Sequence, residues 1–163
     1  MAVLLGTLLV AGCEKEPKLS VEDLPYWKWR QLTEIDPITD VESRSAILTS
    51  GPVSDGGYKP AELHFRCLSG KFDVYVSWSR YIGSKPRVDT RIDSDLHEPN
   101  VWGGSADGTA SFYPFVSRAF LNRLAESKIY LVRVDSSKPP VTAKFETSNV
   151  KEQIRSVRAA CNI

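Results

Sequence analysis

Between residues 61 and 78 apolar and polar side chains alternate with a period of two. Leu63, Phe65 and Cys67 interleave with His64 and Arg66, and Phe72, Val74, Val76 and Trp78 interleave with Asp73, Tyr75 and Ser77. Ser69-Gly70 divides the two runs, and glycine takes the positive φ that a tight hairpin needs. The pattern predicts a β-hairpin with Leu63, Phe65, Phe72, Val74, Val76 and Trp78 in a core.

Shorter runs flank it. Tyr26, Trp27 and Trp29 form an aromatic cluster expected to pack on a sheet edge, ahead of a short polar passage. Asp36-Pro37-Ile38-Thr39-Asp40 has turn chemistry. Residues 42–50 predict a strand with Ser43, Ser45, Ile47 and Thr49 on one side and Arg44, Ala46 and Leu48 on the other. Gly51-Pro52 ends it, and Asp55-Gly56-Gly57 continues the loop. Residues 88–93 alternate as a half-buried strand, 96–100 read as a loop, and Val101-Trp102 resumes an apolar pair. The glycine-rich stretch 103–108 then turns the chain before 109–113, so a second hairpin pair is expected.

From 114 to 128 the period changes. Val116, Ala119, Phe120 and Leu124 recur at helical spacing, with Pro114 suited to the start and Lys128 to the end. Residues 129–135 and 141–147 predict two strands joined through Ser136-Ser137-Lys138-Pro139-Pro140. Val150, Ile154, Val157 and Cys161 form a closing helical stripe, and Asn149 with Glu152 matches a capping box. The class is α+β: an antiparallel β-rich curled sheet or small sandwich with two helices. Regular βαβ alternation is absent, which argues against a doubly wound parallel sheet.

The chain has 163 residues, 42% of them hydrophobic and 25% charged, which suits one globular core. Its formal net charge is +1 with both signs interspersed, so nothing would steer a polyanion to it. Nucleic acid is excluded as an expected partner.

The apolar run near the N-terminus is too short to span a bilayer. It leads into Val10-Ala11-Gly12-Cys13, which resembles the lipobox of bacterial lipoproteins. On this reading residues 1–12 are a lipoprotein signal peptide and Cys13 becomes a lipidated N-terminus. Residues 13–25, charged and proline-containing, are a tether, and 26–163 form the β-rich domain. Acyl chains contributing about 0.8 kcal/mol per buried methylene would hold that domain at a membrane. The n-region lacks Lys and Arg, a departure from the pattern. Glu14, where aspartate is the inner-membrane retention signal of enteric bacteria, favours the outer membrane slightly. The expected location is the periplasm-facing cell envelope.

With Cys13 assigned to lipid, Cys67 and Cys161 remain. In an oxidising envelope this pair predicts a disulfide, the alternative being two separately buried thiols. No C-x-x-C redox pair is present.

Candidate chemistry is sparse. The histidines are His64 and His97, and no G-x-S-x-G elbow occurs. His64 falls on the outward face of a strand beside Arg66, where a solvated or hydrogen-bonded role is expected. His97 lies in Asp93-Ser94-Asp95-Leu96-His97-Glu98, which lacks the EF-hand spacing and a second nearby histidine for zinc, so it reads as a solvated acidic turn. The 103–108 stretch lacks the lysine of a phosphate-binding loop. No metal, cofactor or catalytic residue is assigned.

Several segments together resemble a known family. These are Leu63-His64-Phe65-Arg66-Cys67, Gly70, Val74-Tyr75-Val76-Ser77-Trp78, Val88 with Arg91-Ile92-Asp93, and Trp102 with Ser105, Asp107, Thr109, Ala110 and Phe112. Further on come Phe120-Leu121-Asn122-Arg123-Leu124, Leu131-Val132-Arg133-Val134, Thr142-Ala143-Lys144-Phe145 and a final helix ending in Cys161. Their order and spacing resemble the VasI/TagO family of type VI secretion-associated envelope proteins. Family members often carry a plain signal peptide and a final aromatic, whereas this chain has a lipobox and ends Asn162-Ile163.

The resemblance implies a non-enzymatic protein that works by contact with envelope proteins, as a type VI secretion accessory. It makes Arg91, Asp93, Trp102 and Asp107 candidates for a binding surface, a structural role being the competing reading for each. Two other roles fit a small lipoprotein of this kind. One is a prophage-encoded factor for superinfection exclusion that blocks a phage receptor, and the other is an inhibitor of a periplasmic lysozyme or other hydrolase.

Overall fold

The computed structural model describes residues 26–54, 59–135 and 139–163. The expected leader, the tether with Cys13, the Asp55-Gly56-Gly57 turn and Ser136-Ser137-Lys138 lie outside the described residues. In chain order the elements are β1 (Trp29–Ile35), β2 (Glu42–Thr49), β3 (Glu62–Leu68), β4 (Lys71–Ser77), β5 (Arg87–Ile92), β6 (Glu98–Val101), β7 (Gly103–Gly104), β8 (Ala110–Phe112), α1 (Arg118–Glu126), β9 (Ile129–Val134), β10 (Val141–Glu146), α2 (Val150–Gln153) and α3 (Arg155–Ala160). The fold is α+β, as the pattern predicts. One antiparallel sheet has six strands in the order β1-β2-β3-β4-β8-β7, and the other has four in the order β10-β9-β5-β6.

The central hairpin forms in the expected register, with Phe65 opposite Val74 and Leu63 opposite Val76. Ser69 and Gly70 both adopt positive φ at its turn, 52° and 74°. Its inward residues Leu63, Phe65, Val74, Val76 and Trp78 join Val88, Val132, Phe145 and other residues of the second sheet in one core. The Trp78 indole N–H donates to the Ser111 hydroxyl at 2.9 Å, which satisfies the polar atom of that buried ring, whereas the equally buried Trp102 Nε1 has no hydrogen-bond partner among the described residues.

Four expectations need correction. The polar passage after Trp29 is strand β1. Its residues are exposed on both faces, so no alternation marks it, although Trp29 itself stacks on Phe65 with ring centroids 6.1 Å apart. The expected loop 96–100 contains β6, whose Pro99 is tolerated because β6 is an edge strand. Helix α1 begins at Arg118, well after Pro114. Ser117 caps it by accepting from the Phe120 N–H at 3.1 Å, and Leu121 rather than Ala119 shares the buried face with Phe120 and Leu124. The closing helix is interrupted at Ile154 into α2 and α3, and the Asn149 side chain makes no cap bond, so the capping box is not formed. Val150, Ile154 and Val157 are nonetheless buried as the stripe requires.

The second hairpin pair exists but is divided between the sheets. β5 and β6 pair in the four-stranded sheet, whereas β7 and β8 pair in the six-stranded one. Trp102 stands at the crossover, and the chain there packs too closely for side chains. The Gly104 N–H donates to Ser84 O at 2.9 Å, and a Cβ on Gly104 would lie 2.7 Å from the carbonyl oxygens of Gly83 and Ser84.

The predicted disulfide is formed. Cys67 of β3 is bonded to Cys161, just past α3, with the Cα atoms 5.7 Å apart and 94 residues of sequence separation. It ties the last helix to the inner face of the six-stranded sheet.

Two outcomes follow for stability. Cys161→Ser, or reduction of the parent chain, is expected to cost roughly 3–5 kcal/mol in urea unfolding, because the bridge restricts a long loop in the unfolded chain. Gly104→Ala is expected to cost about 1–3 kcal/mol in the same assay, since the added methyl meets backbone carbonyls that cannot rotate away.

Candidate functional site

Strand alternation that sends Leu63, Phe65 and Cys67 inward sends Glu62, His64 and Arg66 outward, and on β4 it sends Lys71, Asp73 and Tyr75 outward. The register places His64 opposite Tyr75 and Arg66 opposite Asp73. Neighbouring strands extend the row: Ile47 lies opposite His64, Arg30 opposite Ile47, and Phe112 opposite Tyr75. Five strands therefore contribute Arg30, Ile47, His64, Tyr75 and Phe112 to one line across the outer face.

The rings in this line stand side by side. His64 stacks on Tyr75 with centroids 4.5 Å apart and planes 13° apart, and Tyr75 stacks on Phe112 at 4.7 Å and 28°. The Arg66 guanidinium lies 5.1 Å from the Tyr75 centroid and 5.9 Å from that of Phe112. It also donates to Asp73 Oδ2 at 3.0 Å, while Lys71 Nζ approaches Asp73 Oδ1 at 3.1 Å. Arg66 Nε is buried with no hydrogen-bond partner among the described residues. Glu62 bridges two side chains of the row, taking Arg30 Nη2 at 2.6 Å and meeting His64 Nε2 at 3.2 Å.

These contacts set the electrostatics. The His64 ring and then the Arg30 guanidinium hold the Glu62 carboxyl below its ordinary range, against the opposing effect of burial. Burial pushes the Tyr75 phenol up, and nearby Arg66 only partly offsets it. A phenol moved upward stays protonated at neutral pH, and each carboxylate here is paired with a cation. The arrangement is a rigid, open sheet face of alternating charge with aromatic edges, suited to contact with another surface.

The residues named from sequence lie elsewhere. Arg91 is exposed on the outer face of the four-stranded sheet, and its Nε donates to Asp93 O at 3.1 Å. Asp93 has a φ of 46° and its Oδ1 accepts from the N–H groups of Lys128 and Ile129 at 3.0 and 2.8 Å, closing the junction between α1 and β9. Asp107 organises its own turn, accepting from the Ser105 hydroxyl at 2.5 Å and from Thr109 N–H and Oγ1 at 3.1 and 2.9 Å. These bonds lower its carboxyl pKa. Trp102 is not a surface residue at all: it is 1% exposed, edge-on to Tyr113 at 5.3 Å. Its apolar ring is held in the core at the sheet crossover.

Arg91 does line an open groove of about 290 Å³ with Asp89, His97, Leu131, Arg133 and Thr142, in which Arg133 pairs with Asp89. Elsewhere, Arg123 bridges Asp95 at 2.9 Å and Glu98 at 3.2 Å, so the acidic stretch around His97 is ion-paired to α1. Among the described residues no cluster of His, Cys, Asp or Glu is placed to hold a metal ion, and no helix is long and apolar enough to cross a membrane. His64 is hydrogen-bonded, one of the two roles expected for it. Its stacking on Tyr75 was legible from the hairpin turn, since Ser69-Gly70 at the tip puts residues 64 and 75 opposite each other.

Comparison with protein-family models, with curated proteins and with solved structures found no match.

The Glu62 shift has a definite pH sign. A carboxyl whose folded pKa lies below its ordinary 4.5 adds stability above that value and loses it as pH falls through the folded pKa. Urea unfolding of Glu62→Gln should therefore show a shallower loss of stability than the parent from about pH 5 downward.

Proposed function

We propose that this chain is a lipid-anchored, non-enzymatic protein of the bacterial envelope, acting by protein–protein contact as an accessory factor of a type VI secretion system. The observation that carries the reading is the Cys67–Cys161 bridge, because such bonds persist in the oxidising envelope and are rare in the reducing cytosol. The lipobox-like Val10-Ala11-Gly12-Cys13 supports the anchor, and the ordered segments similar to the VasI/TagO family support the secretion role. The charged, stacked outer face of the six-stranded sheet supports action by contact. Its side chains are fixed to one another before any partner arrives, so little ordering entropy would oppose association.

Two measurements test this. Metabolic labelling with palmitate should mark the parent chain and not Cys13→Ala, and equal labelling would remove the anchor. In-cell crosslinking of the tagged chain, read by mass spectrometry, should recover components of the secretion membrane complex. Recovery instead of a porin, an injection-channel protein or a muramidase would replace the secretion role with phage exclusion or hydrolase inhibition.

A further inference from the structure

The two sheets have four lateral edges, and three are blunted. β10 is covered by residues 51–54, through Gly51 N–H to Lys144 O at 3.0 Å, Ser54 N–H to Thr142 O at 3.1 Å and Thr142 N–H to Ser54 Oγ at 2.9 Å. β6 carries Pro99, and β7 is two residues long. β1 has none of these devices. It is seven residues long without proline or lysine, and it exposes Leu32 at 40% and Ile35 at 62%.

Its backbone polarity follows from its pairing with β2. Thr49 N–H bonds Lys28 O at one end and Asp36 N–H bonds Val41 O at the other, in the constant register that sets Trp29 opposite Leu48 and Ile35 opposite Glu42. Antiparallel alternation then turns Lys28, Arg30, Leu32, Glu34 and Asp36 toward β2. It leaves the backbone groups of Trp29, Gln31, Thr33 and Ile35 directed away from the sheet.

We propose that β1 is the interface for a second copy of this chain, pairing antiparallel with its own counterpart about a two-fold axis through Leu32. The order Trp-Arg-Gln-Leu-Thr-Glu-Ile is complementary to itself about that leucine. Gln31 meets Thr33 and Trp29 meets Ile35 as hydrogen-bonded pairs, made by the outward-directed groups. Leu32 meets Leu32, Arg30 meets Glu34 and Lys28 meets Asp36 as the intervening pairs. Every charge meets its opposite and every large apolar residue meets another, which cross-strand pairing rewards. Shifting the register by two residues keeps the backbone bonds but sets Leu32 against Arg30 or Glu34. Glu34 has no ion-pair partner of its own among the described residues, so it is available to Arg30 of the second copy. The interface is isologous, as two-fold dimers require, and joins the two six-stranded sheets into one continuous sheet with both outer faces on the same side. This inference does not rest on the secretion reading.

The test is the mass of the full chain after detergent release, measured across a dilution series. The expected value is twice that of the same chain unfolded in denaturant. Arg30→Glu and Glu34→Arg should each weaken self-association about tenfold by placing like charges opposite each other, and the double swap should restore it. In a Cys13→Ala background, Leu32→Cys should give a disulfide-linked dimer on oxidation, whereas Thr33→Cys should not. A monomer at every concentration overturns the proposal, as does a dimer that ignores the charge changes or fails to crosslink at Leu32.

Discussion

The register of β3 against β4 is the constraint on which the rest of the structure depends. Once Ser69 and Gly70 turn the chain, every residue of both strands is assigned to one face, and a slip by one would exchange the faces completely. The inner assignment gives the Leu63, Phe65, Val74 and Val76 wall on which the second sheet closes. It also aims Cys67 inward, where Cys161 can reach it across a sequence separation of 94 residues. Because α3 is bonded to this same strand, the end of the chain is held by the element that forms the centre of the sheet.

The outer assignment produces the candidate site from the same register. His64 and Tyr75 are a directly opposed pair, and Arg66 and Asp73 are the next pair along on the same face. Stacking, ion pairing and cation–π contact thus arise between neighbours that the hairpin already brings within reach. The face is ordered without a separate scaffold. Association through it would lose little side-chain freedom, and association through β1 would extend it, since Arg30 belongs both to that edge and to the row ending at Phe112.

Much of this is legible in the sequence. Period-two alternation identified the central hairpin and its core residues, and the cysteine count led to the Cys67–Cys161 pair only with Cys13 assigned to lipid. The helical stripe identified Val150, Ile154 and Val157 as buried, though not the interruption at Ile154. β1 was hidden for a physical reason: an edge strand exposed on both faces needs no apolar face, and so leaves no periodic trace. β6 was hidden by Pro99, which is read as a breaker unless the strand is known to be an edge.

Local chemistry by itself determined the Ser69-Gly70 turn and the face each residue of β3 and β4 takes, because these depend on spacing within one run. Tertiary structure alone decided which strands became neighbours. Phe112 lies beside Tyr75, and Trp102 is buried at a crossover rather than displayed, because β8 joins β4 while β5 and β6 pair in the other sheet. Such pairings join segments distant along the chain, and they are selected by how two sheets share one core, a quantity that no single run of residues contains.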